Sequence, residues 1–277
     1  ILAEIHKSKT TYCSYLDESF NQFDIILPNI ERINIRTIAQ AKRNRAARLS
    51  RDTYEETYMS GNTSVKQAEF LINWKKILKT DLIFRIMTFD HIPLQPGRKK
   101  TPKTVADHHT QCNFPPFQHW KFDENDELIC VGKSHWEGGL QNGSFNKEHG
   151  AMTSTLAMMF IKLVERYASR SNWRGYTYND EMQGAGLLQL SRIGLQFDES
   201  KSDNPFAYYT AAITNSFTRV LNLEKKGQRI RDDILEQNGL NPSYTRQNEN
   251  DEKMKVLAEL HDTTPTETTT IEVKQKK

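Results

Sequence analysis

His108, His109, Cys112, Cys130, His135 and His149 fall between residues 108 and 149, and imidazole and thiol are the side-chain types that hold a transition metal. A metal held there would suit a nuclease-like, DNA-processing reaction. Zinc sites, however, normally carry paired ligands at tight spacing, such as two cysteines roughly two to four residues apart. No such pair occurs, so these residues read as ordinary members of a small β module, and neither a metal nor another cofactor is expected. A phosphate-binding loop, a Gly-rich dinucleotide turn, a Gly-x-Ser-x-Gly elbow and a His-Glu-x-x-His helix are also missing. Nothing is left to carry catalysis, and the chain is not expected to be an enzyme.

Recognition of nucleic acid is a different chemistry, and residues 204–226 are suited to it. Asn204-Pro205 supplies an N-cap acceptor and a proline at the first helical position, so a helix is expected from about Pro205 to Lys226. At about 100° per residue, Phe206, Tyr209, Ile213, Phe217 and Val220 fall within about 80° of one another, a stripe for the core. Tyr208, Ala211, Ala212, Asn215, Thr218, Arg219 and Asn222 occupy the other side. That side combines an aromatic, small residues, hydrogen-bonding groups and a cation, with no acid. It can approach a polyanion closely, stack on a base and hydrogen-bond to base edges. A solvated helix face more often mixes lysine with glutamate.

Two further helices must hold this one. Leu156, Met159, Phe160, Leu163, Val164 and Tyr167 recur at spacings of three and four from about Thr153. A second helix is expected from about Tyr178 to Leu195. Upstream, Arg36, Lys42, Arg43, Arg45, Arg48 and Arg51 occur without an intervening acid among alanines, isoleucine and leucine. This basic helix is either a solvated face or a contact for nucleic acid or an acidic protein. Residues 66–78 look helical and Leu82–Met87 extended. Pro93–Lys103, with Gly97-Arg98-Lys99-Lys100, reads as a loop. Asn125-Asp126-Glu127 before Leu128-Ile129-Cys130-Val131 suggests the return strand of a hairpin.

The expected organisation is therefore an N-terminal segment with a basic helix at 1–65, a mixed module with a β hairpin at 66–150, a helical domain at 151–240, and a polar, disordered tail at 241–277. Thr263–Thr270, rich in threonine and nearly devoid of apolar residues, is the clearest part of that tail. The expected fold class is mainly α.

Of the 277 residues, 36% are apolar and 26% charged, and mean hydropathy is −0.72, which fits a modest core with extended polar segments. The net charge of +3 is too small to name a partner. No run approaches the roughly 20 apolar residues of a membrane span, and no charged-then-apolar leader opens the chain, so no membrane association is expected. The first residue is Ile1, which leaves an upstream start open. Cys13, Cys112 and Cys130 are too scattered for a disulfide framework, which fits a reducing compartment. Asn62-Thr63-Ser64 and Asn142-Gly143-Ser144 are then chance matches to the glycosylation pattern.

From Leu156 to Glu224 the order of residues resembles the second conserved region of bacterial sigma factors. Ser171-Asn172-Trp173-Arg174-Gly175-Tyr176, and Phe197-Asp198 leading to Asn204-Pro205-Phe206-Ala207-Tyr208, are more closely similar to the late-promoter sigma factors of T-even-type phages. The version here is most like that of phages infecting cyanobacteria, with a general likeness over residues 1–150.

The resemblance implies a role for each helix. The second would grip the clamp helices of the RNA polymerase β′ subunit. Read from its own residues, that helix packs its apolar side chains inward and leaves Asp180, Glu181, Gln183 and Gln189 outside. It is one residue longer than the family pattern between Asp180 and Phe197, so individual positions carry over loosely. The third aligns without a gap. Tyr208 falls where the family captures the flipped adenine of the minus-ten element, Asn215 and Thr218 where its upstream edge is read, and Arg219 on a backbone-contacting position; Asn222 continues that DNA-binding face. Ala211 and Ala212 replace paired tryptophans of housekeeping sigma factors, which implies reliance on an AT-rich site that unstacks easily. No helix-turn-helix follows Lys226, as in phage late sigma factors. Some of those end in a hydrophobic, acidic clamp-binding motif, whereas Thr269–Lys277 is basic at its end.

The expected function is thus initiation of late phage transcription, with host core RNA polymerase and promoter DNA as partners, in the cytoplasm of an infected bacterium. The resemblance leaves open a late co-activator and the sliding clamp as further partners. The rivals are a metal-dependent DNA-processing enzyme built on residues 108–149 and a polymerase-binding regulator that never touches DNA.

Overall fold

A computed structural model of the chain describes residues 1–61, 66–94 and 110–262. Two compact units are formed, Ile1–Phe217 and Thr218–Lys277.

The first unit is built on a five-stranded mixed sheet, which corrects the mainly-α expectation. Its strands are β1 (Cys13–Tyr15), β2 (Ile25–Leu27), β3 (Ile83–Met87), β4 (Phe117–Phe122) and β5 (Leu128–Ser134), in the order β1-β5-β4-β3-β2. All neighbours run antiparallel except β2 and β3. Segments 1–65 and 66–150 both contribute strands, so the expected division between them does not exist. Short β1 and β2 lack enough alternation to stand out in sequence; they are strands because longer neighbours pair with them. The hairpin between β4 and β5 is as expected. Asp123 Oδ1 accepts from the backbone N–H of Asn125 and Glu127 at 2.9 and 2.8 Å, and Asp126 takes the left-handed φ of 66°. A two-stranded ribbon, β6 (Trp136–Glu137) with β7 (Ser144–Phe145), follows.

Alternation along β3 sends Phe84 and Ile86 to one face and Arg85 to the other. The first face packs with Leu27, Ile77, Leu82 and Phe122 against Ala41 and Ala46 of α2 (Ile35–Met59). α2 is the expected basic helix, longer than its basic run and opened by a reciprocal cap between Asn34 and Thr37. Arg48 and Arg45 turn inward to the buried Asp24 carboxylate, at 2.7 and 3.5 Å. Only single 3-10 turns, Gln67–Phe70 and Trp74–Lys76, form where a helix was expected at 66–78. Asn73 caps the start of the second through its side chain, and the turn ends where Ile77 takes an extended backbone, with φ −73° and ψ 126°.

On the other face, Tyr15, Gly132, His119 and Arg85 form a row across β1, β5, β4 and β3. A Cβ at position 132 would stand 2.4 Å from a Tyr15 ring carbon, so only glycine lets Tyr15 lie over β5 against His119. Helix α1 (Leu2–Thr10) brings His6 and Lys9 to this row. The unit continues with α3 (Ser154–Ala168), α4 (Asn179–Ile193) and the first part of α5 (Pro205–Gln237), close to the three expected helices.

α5 runs past Lys226 into the second unit and is followed by α6 (Tyr244–Asp262). The disorder expected from residue 241 is therefore corrected over α6. There Ser243 donates its N–H and hydroxyl to the Asp232 carboxylate, both at 2.8 Å, and Arg246 pairs with Asp233 and Glu236. These polar bonds fix a helix that has no apolar face to announce it. His108, His109, the loop with Gly97–Lys100, Asn62–Ser64 and the tail from Thr263 lie outside the described residues. Among the described residues no helix is long and apolar enough to cross a membrane.

Candidate nucleic-acid interface

Helices α3, α4 and α5 meet through aromatic side chains. Phe160 lies edge-on to Tyr209, with ring centroids 4.8 Å apart, and Tyr167 and Trp173 lie edge-on to Phe217 at 5.8 and 5.4 Å. Gly186 of α4 makes this approach possible, since a Cβ there would come within 3.0 Å of Phe217. Asn179 joins the end of α3 to the start of α4 by donating to the carbonyls of Ala168 and Trp173 at 3.2 and 2.9 Å. Tyr209, Ile213 and Phe217 are fully buried, as the periodicity requires. Phe206 departs from that stripe: it is 53% exposed, because it lies in the first turn of α5. Val220 is half-buried.

Entry into α5 is set from the opposite end of the sequence. Glu199, in the loop before α5, accepts from Lys9 Nζ at 3.2 Å and from Arg85 Nη1 at 2.8 Å. Lys9 also donates to the Phe197 carbonyl at 2.7 Å. The Arg85 guanidinium is sandwiched between Phe23 and Phe117, 3.8 and 3.9 Å from their ring centroids, and its Nε donates to His119 Nε2 at 3.0 Å. That leaves His119 Nδ1 to donate to the Phe20 carbonyl, so this imidazole is neutral. Burial, reinforced by Arg85, holds His119 well below its usual pKa and brings His6 down to about 4. Burial alone would raise the Glu199 carboxyl; Lys9 and Arg85 outweigh it and hold the group below its ordinary range. Nothing in the sequence separates Glu199 from its acidic neighbours. The inward-facing Arg85 at the centre of an apolar strand was the one available signal.

Tyr208 is half-buried, with its ring 5.6 Å from Phe197 and 5.3 Å from Tyr209. Burial pushes its phenol pKa up. Ala211 and Asn215 are exposed and Ala212 half-exposed. Thr218, Arg219 and Asn222 are exposed on the part of α5 that belongs to the second unit. No acid interrupts α5 before Glu224.

On α4, Met182, Gly186 and Leu190 are buried. Asp180 and Glu181 are exposed in the first turn, where the helix dipole favours acids. Gln183 and Gln189, expected outside with them, are instead half-buried on the flanks, and Gln183 donates to Asn179 at 2.8 Å. Helical spacing explains the correction: Gln189 is nine residues from Asp180, about 180° away. The outward face of α4 carries Asp180, Glu181, Gly184, Leu188, Ser191 and Arg192, and Leu188 is 54% exposed.

Of the histidines and cysteines between 110 and 149, Cys112, His119 and His135 are buried, and Cys130 and His149 are half-buried. His135 accepts from the Asn113 N–H at 3.2 Å and lies 4.1 Å from the Phe114 ring, and burial lowers its pKa to about 3. Burial pushes the Cys112 thiol up to about 11. Among the described residues no three His, Cys, Asp or Glu side chains gather closely enough to hold a metal.

No protein-family model, curated protein or solved structure matches the chain.

Proposed function

We propose that the chain is a sigma factor for late phage transcription, acting in the cytoplasm of an infected bacterial host. It binds host core RNA polymerase, directs it to AT-rich minus-ten-type elements and captures the non-template strand as the duplex opens. One observation carries the reading beyond the resemblance in residue order. From Tyr208 to Asn222 the outward side of α5 carries no acid, while Tyr209, Ile213 and Phe217 hold the helix down on α3 and α4.

In this mechanism Phe197 backs Tyr208, so an unstacked adenine meets an aromatic ring already fixed in place. Stacking of that kind contributes about 1–3 kcal/mol. Asn215 and Thr218 hydrogen-bond to base edges, and Arg219 and Asn222 contact phosphate. Ala211 and Ala212 offer no wedge, so melting relies on steps that unstack at low cost. Asp180 and Glu181 begin the polymerase-binding face of α4, where Leu188 adds an apolar anchor beside the acids. A late co-activator or the sliding clamp would bind outside these faces.

The reading is tested by mixing the purified chain with host core RNA polymerase and following the complex by gel filtration. A stable complex at submicromolar protein is expected. Separate elution of the two at all concentrations would reject the assignment.

A further inference from the structure

α2 divides its cations into two sets. Arg45 and Arg48 are consumed by Asp24. Arg36 and Arg43 are exposed, seven residues apart and so on one side of the helix, about 10.5 Å apart along the axis. Gln40 and Ala47 are exposed on the same side, which carries no acid and no large apolar residue. The turn Trp74–Lys76 extends this face. The Arg43 guanidinium lies 5.1 Å and Lys75 Nζ 6.0 Å from the centroid of the Trp74 ring, and Lys76 beside them is exposed. Trp74 is itself half-buried against the sheet core, so the indole holds both cations on a rigid base. Among the described residues Arg36, Arg43, Lys75 and Lys76 make no ion pair, and the acids nearest along α2 are Glu31 before it and Asp52 near its end.

We propose that Arg36, Arg43, Lys75 and Lys76 form a second DNA-binding surface, which grips the phosphate backbone of duplex DNA without reading its sequence. Two cations held on a rigid indole, with Lys76 next in sequence and Arg36 two turns along α2, match a polyanion with one phosphate per roughly 3.4 Å of each strand. A protein partner would call for an apolar centre within a polar rim, and between Arg36 and Arg43 this face offers only Gln40, with Ala47 one turn beyond. The exposed Leu71, Ile72 and Leu78 lie in the segments that flank the Trp74–Lys76 turn in sequence rather than among the four cations. Arg43, held 5.1 Å from the Trp74 ring, makes no ion pair among the described residues, and little side-chain freedom is left to lose on binding. The proposal goes beyond the polymerase reading, since it needs only the isolated chain and DNA.

The test is fluorescence anisotropy of the full chain with a duplex of arbitrary sequence between 50 and 200 mM salt. The wild type is compared with a variant carrying Arg36→Gln, Arg43→Gln, Lys75→Gln and Lys76→Gln. A charge-matched control carries Lys162→Gln, Arg166→Gln, Lys253→Gln and Lys255→Gln, and circular dichroism checks that all three are folded. The first variant should lose at least about tenfold in affinity, and its salt slope should fall by about 3.6, near 0.9 for each of the four lost contacts. The control should keep most of both. The proposal is overturned if the wild type does not bind duplex at 50 mM salt, if the two variants behave alike, or if polyglutamate competes as well as the duplex. The last outcome would assign the face to an acidic protein. None of these outcomes bears on polymerase binding, which the gel-filtration measurement reads separately.

Discussion

Arg85 and Arg219 carry the same guanidinium and are used in opposite ways. Arg85, 1% exposed, bonds to His119 and Glu199, lies 3.1 Å from His6 Nδ1, and has an aromatic ring on each side. Arg219 is exposed on α5 and makes no ion pair among the described residues. The difference follows from desolvation. A buried cation is tolerated only when it is paired and hydrogen-bonded, and each of the three Arg85 guanidinium nitrogens has a partner, so the cluster fixes geometry. A solvated guanidinium has donors that phosphate can take at small desolvation cost. One region therefore positions the helix, and the other is free to recognise.

The largest effects should come from breaking the buried side. Arg85→Met leaves Glu199 and Lys9 imperfectly paired in the interior and should destabilise the fold by about 3–5 kcal/mol. Arg219→Met should stay within about 0.5 kcal/mol. Urea unfolding of the two variants measures the contrast directly, and equal losses would erase it.

Acid should act through the same cluster. Burial lowers His6 and His119 in the folded chain, so the unfolded chain, titrating near 6.5, takes up protons first. Their stabilisation is complete above that pH and is lost as pH falls below it, at roughly 1.4 kcal/mol per pH unit for each histidine. His91 and His135, lowered by burial to about 4 and about 3, steepen the fall. Glu199 adds its loss only below the ordinary carboxylate range, since its folded pKa is depressed. Circular dichroism melts between pH 7 and pH 5 should show the midpoint dropping above the range in which Glu199 protonates.

On the exposed side, Tyr208→Ala should reduce promoter opening roughly ten- to hundredfold while leaving initial polymerase binding intact. Permanganate reactivity of unpaired thymines reads this, and unchanged melting in a folded variant would reduce Tyr208 to packing on Phe197. Smaller still, Asn215→Ala and Thr218→Ala should relax promoter choice, scored as transcript ratios from matched and mismatched templates. Arg219→Gln should weaken every sequence alike and flatten the salt dependence by about 0.9. Last, Asp180→Ala with Glu181→Ala should weaken polymerase binding more than Gln183→Ala, whose amide is held by Asn179.

How much of this could be read from the sequence differs between the two regions. The α5 faces were legible because a period of 3.6 separates Tyr209, Ile213 and Phe217 from Asn215 and Thr218 within a few turns. Phe206 failed because periodicity assumes that one stripe packs along the whole helix, whereas the first turn of α5 is covered at Pro205 and Tyr208 instead. Gln189 failed because residue polarity was taken as a sign of exposure, although nine residues from Asp180 place it on the opposite side of α4. The sheet was underestimated, since β1 and β2 are three-residue strands whose partners lie far off in sequence. The Lys9–Arg85–Glu199 cluster joins residues from three distant segments, and no local pattern encodes such a meeting.

Transcription from a reconstituted holoenzyme addresses the central claim most directly. Host core RNA polymerase and the purified chain are combined on an AT-rich template, and transcripts are scored for a defined start site. The account predicts start-site-specific transcripts that depend on the chain and fall away with Tyr208→Ala. Transcripts that are absent, or unchanged without the chain, on AT-rich templates that support late initiation would contradict it.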